Sequence, residues 1–254
     1  MKNTIMSRML FCAALAALTA ASAISDPATG IVGYWKMNGD LVDRSPTGAD
    51  GTLYGDGVFI NGAHGQALSF SGTNAYVNCG SHGALNFGTN TSFSIAFWAR
   101  IEATGYTYDG IVGRKMTRAS NRSGYLLKIE ADAWGNSGFL KLDLRDTSQV
   151  GVTAVSGISV NDGVWRHYAA TADRAGSAQI YINGVASGAA VSLASLGDID
   201  STQNFIIGAI GAVNSQWFKG ALDELVVWNR ALSAEEVMEV YRSFPPRPTF
   251  VTVR

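Results

Sequence analysis

The sequence predicts an all-β fold, namely a two-sheet antiparallel jelly-roll sandwich with one short C-terminal helix. The chain contains 29 glycines, and short apolar runs alternate with clusters of Gly, Asn, Asp, Ser and Thr. This alternation is typical of many short strands joined by turns. In the clearest strand, 92–102, Phe93 and Phe97 share an apolar face, whereas Trp98 and Arg100 fall on the other. A period of two over this length indicates a long strand with one face in a core.

Further apolar runs predict the remaining strands in chain order. The pair Asn183-Gly184 predicts a tight hairpin, because both residues tolerate positive φ. About a dozen strands with short connections are expected to pair antiparallel and to bury two apolar faces, which two sheets packed face to face achieve. Besides 92–102, the predicted strands cover 31–37, 66–71, 75–79, 109–116, 123–130, 138–145, 165–173, 178–182, 203–209 and 220–228.

One segment near the end of the chain has the pattern of a helix. Ser233 and Glu236 have capping-box spacing, so we predict a helix over 234–242. No internal repeat or convincing linker divides the chain, which favours one domain of a size common for β-sandwiches. The predicted organisation is a signal peptide over 1–23, a spacer over 24–30, the jelly roll over 31–242 and an extended tail over 243–254.

The first residues have the features of an export signal. Lys2 and Arg8 precede an apolar run over 9–21, and the small residues over 21–23 fit a cleavage site. We therefore expect a secreted protein, or one of the periplasm or cell envelope. A membrane anchor is the alternative, although the apolar run is short for a span.

The charge balance excludes some partners. Without Lys2 and Arg8 the 19 basic residues fall to 17, against 20 acidic ones, which gives a net charge of −3. Nucleic acid and anionic membrane surfaces both require a basic face. We therefore expect no nucleic-acid partner and no membrane insertion once the signal is removed.

Several segments, taken together and in this order, resemble the laminin-G-like branch of the concanavalin A-like lectin/glucanase superfamily. The resemblance spans about residues 31 to 242 and implies a two-sheet jelly roll. It does not imply one function, because this superfamily includes lectins, adhesion modules, enzymes and domains attached to enzymes. The matching segments are 33–40, 43–48, 51–53, 67–72, 75–77, 93–98, 165–169, 180–184, 218–225 and 228–233.

Catalytic residues are poorly represented. A glycosidase needs two carboxylates that flank the scissile bond, and enzymes of this superfamily often place them as Glu-x-Asp-x-x-Glu. Glu130 and Asp132 begin such a pattern, but Gly135 occupies its last position. Asp223 and Glu224 are adjacent, and on a regular strand they would point to opposite faces. We predict a non-catalytic protein and keep a glycoside hydrolase or polysaccharide lyase of the same fold as the alternative.

Other titratable residues are expected to have structural roles. The three histidines lack the spacing of a zinc site, and we expect His167, within a strand, to be a hydrogen-bonded structural residue. Cys79 would be the only cysteine of the mature chain and is expected to be a small buried residue. Glu235, Glu236 and Glu239 are expected on the solvated side of the helix.

Oxygen donors cluster after the first predicted strand. Asn38, Asp40 and Asp43 lie within six residues, and Asp223 opens the last long strand beside apolar neighbours. Pairing of the first and last strands, common in jelly rolls, would bring them together. We predict one structural calcium bound by Asn38, Asp40 and Asp223, with Asp43 in reserve; domains that this sequence resembles often carry calcium at such a place. The alternative is that Asn38 and Asp40 form an Asx turn and Asp223 caps backbone amides.

Aromatic residues in turn-like stretches give the binding hypothesis. Trp134, Trp217, Tyr106 and Tyr108 lie in such stretches, and loops carry function on β scaffolds. We predict that they contact a ligand by stacking on sugar rings; the alternative is that they cover sheet edges. The predicted function is a secreted, non-catalytic recognition module that binds a glycan, or an extracellular protein, with a structural calcium. A structural or adhesion protein of the cell envelope is a further alternative.

Overall fold

The computed structural model describes residues 26–103, 108–115, 122–130, 138–211 and 216–243, with only the backbone of Tyr108. The predicted signal peptide and the predicted tail beyond Ser243 lie outside these residues and stay predictions. The described chain contains a 3-10 helix over Gly83–Leu85 and an α-helix, α1, over Ala234–Ser243. Its strands are β1 (Ile31–Trp35), β2 (Thr52–Tyr54), β3 (Val58–Asn61), β4 (Gln66–Ser71), β5 (Tyr76–Asn78), β6 (Phe93–Glu102), β7 (Tyr108–Gly113), β8 (Gly124–Glu130), β9 (Phe139–Arg145), β10 (Gly151–Ser159), β11 (Asp162–Ala172), β12 (Ser177–Ile182), β13 (Val185–Ser192), β14 (Ile206–Ile207) and β15 (Lys219–Trp228).

The strands form two antiparallel sheets that pack as a sandwich, which confirms the predicted fold class. The eight-stranded sheet has the order β13-β12-β11-β6-β15-β4-β3, with β1 paired to β15 beside this path. The seven-stranded sheet has the order β10-β9-β8-β7-β14-β5-β2. The first and last strands are neighbours, with Tyr34 opposite Val226. The first and last described strands therefore meet inside one sheet.

The core lies between the inner faces of the two sheets. The eight-stranded sheet contributes Phe93 and Phe97 from β6, and the seven-stranded sheet contributes Tyr125 and Leu142. Each of these four side chains is at most 1 % exposed, and burial of one such side chain contributes about 1.5–3 kcal/mol. Because side chains alternate along a strand, Trp98 points to the outer face of its sheet, as the sequence pattern predicts.

Helix α1 covers part of the outer face of the eight-stranded sheet. Its first turn is fixed by the predicted capping box, in which Ser233 N–H donates to Glu236 Oε2 at 2.7 Å and Glu236 N–H donates to Ser233 Oγ at 3.2 Å. Glu236 is buried beside Arg230, so the prediction of a solvated side chain was wrong for this residue. Val237 and Val240 pack on the sheet. Among the described helices, none combines the length and apolar character that a membrane span requires.

The structure adds four strands to those that the sequence predicts, namely β2, β3, β10 and β13. They stand at the ends of the two strand orders; β2 and β3 have only 3 and 4 residues, and most of β13 is exposed. Asn183 and Gly184, with φ of 51° and 78°, form the predicted hairpin between β12 and β13. Cys79 is a buried free thiol, as expected.

Candidate functional site

Two regions of the sandwich contain clusters of polar side chains that are candidates for a functional site. The first is the strand junction, where β1, β15 and the turn over 61–66 between β3 and β4 meet. The second is the outer face of the seven-stranded sheet.

A β-bulge places two carboxylates together at the strand junction. Leu222 and Leu225 both belong to the core, whereas Asp223 and Glu224 between them do not. Glu224 has a φ of 50°, and the pairing of β15 with β6 shifts register here. A bulge inserts one extra residue and turns the strand locally. The prediction that these two side chains point to opposite faces was therefore wrong.

Asp223 is fully buried and only partly satisfied. Its Oδ2 accepts the backbone N–H of His64 at 2.7 Å, while its Oδ1 has no hydrogen-bond partner within the described chain. Burial raises the pKa of Asp223 to about 7, and the nearby carboxylate of Glu224 acts in the same direction. Backbone hydrogen bonds from His64, Glu224 and Ala63 lower this pKa but do not offset burial, and a proton or a cation would stabilise the buried carboxylate further.

Asn38 contacts the same turn. Its Oδ1 accepts the backbone N–H of Gln66 at 3.0 Å, two residues from the amide that Asp223 caps. A Cβ atom on Gly65 would lie 2.8 Å from the Asn38 side chain, so glycine makes this close approach possible. The structure therefore brings Asn38 and Asp223 to one turn, as the calcium prediction requires. Asp223 also caps a backbone amide, which is part of the alternative.

The other two predicted calcium ligands, Asp40 and Asp43, are engaged in contacts close to their own loop. Asp40 pairs with Arg44 at 2.6 Å and accepts the backbone N–H of Val42. Asp43 accepts four hydrogen bonds, from the backbone amides of Tyr34, Ser45 and Ala49 and from the Ser45 hydroxyl. No three His, Cys, Asp or Glu side chains of the described ranges form a metal-binding group. A cation at this turn would thus also require amide or backbone oxygens.

Histidine and aromatic rings lie beside the junction. Trp98 pairs with His167 on β11 and with Asp223 on β15, so all three share a row on the outer face. The rings of His64 and His167 pack on Trp98 at 5.3 and 5.7 Å, and Tyr241 of α1 lies 5.8 Å from Trp98. Burial lowers the pKa of His167 to about 3, and His64 contributes in the same direction. His167 is buried, as expected for a structural residue, but its Nδ1 lacks the expected hydrogen-bond partner within the described ranges.

On the seven-stranded sheet, one cross-strand row combines an indole with two ammonium groups. Gly110 forms a bridge with Trp217 and pairs with Lys128, which pairs with Lys141. Residues paired in this way point to the same face. This is the outer face, because the next residue, Phe218, is in the core. The order of this row across the sheet is Trp217, Gly110, Lys128 and Lys141.

Lysines and carboxylates form a largely buried network of ion pairs on this face. Lys115 and Lys128 lie 2.5 and 3.3 Å from the same oxygen of Asp143, and Lys141 contacts the carboxylate of Glu130. Burial lowers the pKa values of Lys115 and Lys141. Burial alone would raise the pKa of Asp143, but Lys115 and Lys128 outweigh it and the pKa is lowered. This network was absent from the predicted site residues.

The structure describes only some of the aromatic residues that the sequence predicts to contact a ligand. Trp217 is partly exposed, and its indole N–H has no acceptor in the part of the chain that the structure describes. Tyr106 and Trp134 lie outside the described residues. The backbone of Tyr108 pairs with Glu130, at the end of the same face. A further aromatic pair that the sequence analysis missed, Tyr54 and Tyr76, lies near the other edge, with ring centroids 4.9 Å apart.

Two carboxylates of this face, Glu130 and Asp143, lie on neighbouring strands. Glu130 pairs with Phe139, which precedes Asp143 by four residues on β9, so the two backbone positions lie about 13 Å apart along the strand. Asp132, the other carboxylate of the enzymatic alternative, lies outside the described residues.

The two packed antiparallel sheets define the protein as a jelly-roll domain. Residues 70–238 match the family model Laminin_G_3, described as the concanavalin A-like lectin/glucanases superfamily. The chain belongs to this superfamily, which confirms the resemblance of its segments. None of the curated proteins compared with the chain matches it.

Solved structures with the same fold include several binding domains. The binding domain of Paraclostridial Mosquitocidal Protein 1 has 18 % sequence identity and a TM-score of 0.72, and the match covers 86 % of this chain and 53 % of that one. The botulinum neurotoxin serotype G binding domain has 19 % identity and a TM-score of 0.65, with 84 % and 51 % covered. This chain thus spans about half the length of these toxin domains.

A third neighbour is similar over nearly its whole length. It is domain 4 of AbnA, a GH43 extracellular arabinanase from Geobacillus stearothermophilus, in complex with arabinotriose. The identity is 19 % and the TM-score 0.63, and the match covers 84 % of this chain and 98 % of that domain. At such identities the likeness concerns the fold alone.

Proposed function

We propose that the protein is a non-catalytic recognition module that binds carbohydrate on the outer face of the seven-stranded sheet. The observation that carries this proposal is the row in which Trp217 stands beside Gly110 and Lys128. An aromatic ring offers a flat apolar surface to the CH groups of a sugar. Ala209 and Ile210 cover Gly110, because a Cβ atom there would lie 2.5 Å from Ile210 Cγ1, and Lys128 supplies hydrogen-bond donors for hydroxyl groups.

The structural neighbours support a binding role without defining the ligand. Two are toxin binding domains, and the third is an arabinanase domain bound to arabinotriose. With the predicted signal peptide, these observations favour a module that meets its glycan outside the cytoplasm.

Trp217→Ala tests this proposal against a glycan panel that includes arabinan. We expect the substitution to weaken binding of any glycan that the wild-type protein retains by roughly tenfold or more, because an apolar contact surface is lost. Trp165→Ala is the matched control, because Trp165 is also partly exposed but belongs to the eight-stranded sheet. Equal effects of the two substitutions, or no binding to any glycan, would reject the proposal.

We further propose one structural calcium ion at the strand junction. Asn38 and Asp223 are its principal side-chain ligands, and Asp40 and Asp43 contribute only if they leave their present partners. The vacant Oδ1 of Asp223 supports this assignment, because calcium takes carboxylate, amide and backbone oxygens together. The ion would neutralise the buried acidic pair Asp223 and Glu224 and tie β1 and β15 to the 61–66 turn.

A further inference from the structure

An aromatic pair marks the β2 edge of the seven-stranded sheet. Tyr54 on β2 is directly opposite Tyr76 on β5, and their rings are stacked, with centroids 4.9 Å apart and planes 7° from parallel. The adjacent pair, Leu53 and Val77, packs in the core, so the two tyrosines point to the outer face. Tyr76 covers one side of the Tyr54 ring, and β2 stands at the end of the strand order. The other side of the ring therefore lies at the sheet edge, where Tyr54 is 45 % exposed.

Polar side chains lie on both sides of this ring along the chain. Thr52 precedes Tyr54 by two residues in β2 and so shares its outer face. On the other side, Asn74 Oδ1 accepts the backbone N–H of Asp56 at 3.3 Å, and Asp56 Oδ1 accepts the Ser71 hydroxyl at 2.8 Å. Thr52, Asp56 and Asn74 are all exposed. A hydroxyl thus flanks the ring at one end, and an amide and a carboxylate flank it at the other.

Close packing of two turns fixes the amide and the carboxylate in place. Gly55 has a φ of 78°, and a Cβ atom there would lie 2.3 Å from the backbone oxygen of Asn74. Only glycine permits this approach of the β2–β3 turn to the β4–β5 turn. The hydroxyls of Ser71 and Thr73 are a further 2.8 Å pair within the second turn. Such a preorganised surface loses less free energy on ordering when a ligand binds.

The chemistry of this surface fits a neutral sugar. The CH groups of a sugar ring pack on the face of an aromatic ring, while its hydroxyls bond to hydroxyl, amide and carboxylate groups. Asp56 is the one charged member of this surface and would repel an acidic sugar. The five residues that form it, named here the edge patch, are Thr52, Tyr54, Asp56, Asn74 and Tyr76.

We propose that the edge patch is a second glycan-binding site, which takes a neutral oligosaccharide with one sugar ring stacked on Tyr54. The hydroxyl of Thr52 bonds to the ligand on one side of that ring, and Asn74 Nδ2 and Asp56 Oδ2 bond to it on the other. Tyr76 positions the Tyr54 ring. The inference rests on the proposed carbohydrate-binding function and adds a contact surface separate from Trp217.

Neutral trisaccharides test the inference on the full chain that carries Trp217→Ala, in which the first proposed site is removed. Arabinotriose, xylotriose, cellotriose and galactotriose are titrated by calorimetry. We expect this protein to bind at least one of them, and Tyr54→Ala in the same background to weaken that binding roughly tenfold or more. Trigalacturonate should bind more weakly than galactotriose at low salt, because Asp56 repels its carboxylates.

Two conservative substitutions separate a lost contact from a folding defect. Thr52→Val removes the hydroxyl at nearly constant shape and should lower the affinity roughly threefold to tenfold, the loss expected for one hydrogen bond. Thr153→Val is the matched control and should leave the affinity unaltered, because Thr153 is also exposed but lies on β10 at the opposite end of the same sheet. Tyr54→Phe keeps the ring and should retain most of the binding.

Three results would overturn the inference: no binding of any trisaccharide to the Trp217→Ala protein, unchanged affinity after Tyr54→Ala, or equal effects of Thr52→Val and Thr153→Val. If the wild-type protein binds glycans and the Trp217→Ala protein does not, the inference fails and the proposed function stands. If Trp217→Ala leaves all glycan binding unchanged and Tyr54→Ala removes it, the site proposed at Trp217 fails and the edge patch stands.

Discussion

The phenol of Tyr34 donates a 2.5 Å hydrogen bond to Oε2 of Glu224, which joins the first and last strands through their side chains. The bulge on β15 makes this contact possible, because Glu224 adopts a φ of 50° and its carboxylate reaches the outer face. Burial raises the pKa of Glu224 even though the Tyr34 hydrogen bond lowers it. The buried carboxylate therefore depends on this donor.

Tyr34→Phe should lower the free energy of unfolding by about 1–3 kcal/mol, because it leaves a buried acceptor without its donor. Denaturant unfolding measures this loss. Tyr54→Phe is the control, since Tyr54 is 45 % exposed, and a surface change of this kind shifts stability by about 0.5 kcal/mol or less. Equal losses in the two variants would show that the Tyr34–Glu224 contact is immaterial to stability.

Local sequence signals predicted the parts of the fold that depend on neighbouring residues. The alternation from Phe93 to Ile101 defined the inner face of β6, because a strand allows only two side-chain directions. The Ser233–Glu236 box and the Asn183-Gly184 turn were confirmed because their hydrogen bonds and φ angles involve only residues close in sequence.

Features that depend on register could not be predicted in the same way. The bulge at Glu224 arises from the pairing of β15 with both β1 and β6, and no single-strand pattern reveals it. The lysine network requires β8 and β9 to be aligned so that Lys128 faces Lys141. Alternating charge in the two predicted strands was visible, since Lys141 and Asp143 oppose a leucine face, but their partners were not.

Ser233→Ala should lower the free energy of unfolding by about 0.5–2 kcal/mol, because the Ser233 hydroxyl accepts the Glu236 amide at the start of α1. The helix covers Ala96 and Ala169 of the sheet, so the loss affects global unfolding. Ser243→Ala, at the exposed end of the helix, is the control and should change stability by about 0.5 kcal/mol or less. The comparison uses the same denaturant measurement, and a loss no larger in Ser233→Ala would contradict the role of the cap.

His167 should make the protein sensitive to mild acid. Burial lowers the pKa of this ring from 6.5 to about 3. Below about pH 6.5 the unfolded chain binds a proton that the folded chain excludes, so stability falls as the pH decreases towards 3. His167→Gln should reduce this dependence by up to about 1.4 kcal/mol per pH unit, as measured by urea unfolding between pH 4 and pH 7.

His82→Gln is the control for this measurement. It also removes one histidine, but His82 is only partly buried. Its unfolding should keep the wild-type dependence on pH. A dependence that survives in His167→Gln, or that disappears in both variants, would show that carboxylates rather than the buried ring govern the loss of stability in acid.

Calcium should stabilise the protein through Asp223 more than through the acidic loop. Asp223 has a vacant oxygen at the strand junction, whereas Asp43 already accepts four hydrogen bonds. The pKa of about 7 for Asp223 means that calcium competes with a proton at lower pH. The stabilisation by calcium should therefore be greater at pH 8 than at pH 6.

Removal of calcium by a chelator at pH 8 should lower the melting temperature by several degrees, and added calcium should restore it. The expected gain is about 2.7 kcal/mol at a hundredfold excess over the dissociation constant. Asp223→Asn should abolish most of this response, whereas Asp43→Asn should lower stability without calcium but keep the response. Magnesium should substitute poorly, because it prefers a tight octahedral site and retains its waters. An unchanged midpoint, together with no metal in elemental analysis, would leave Asn38 and Asp223 as caps of the 61–66 turn.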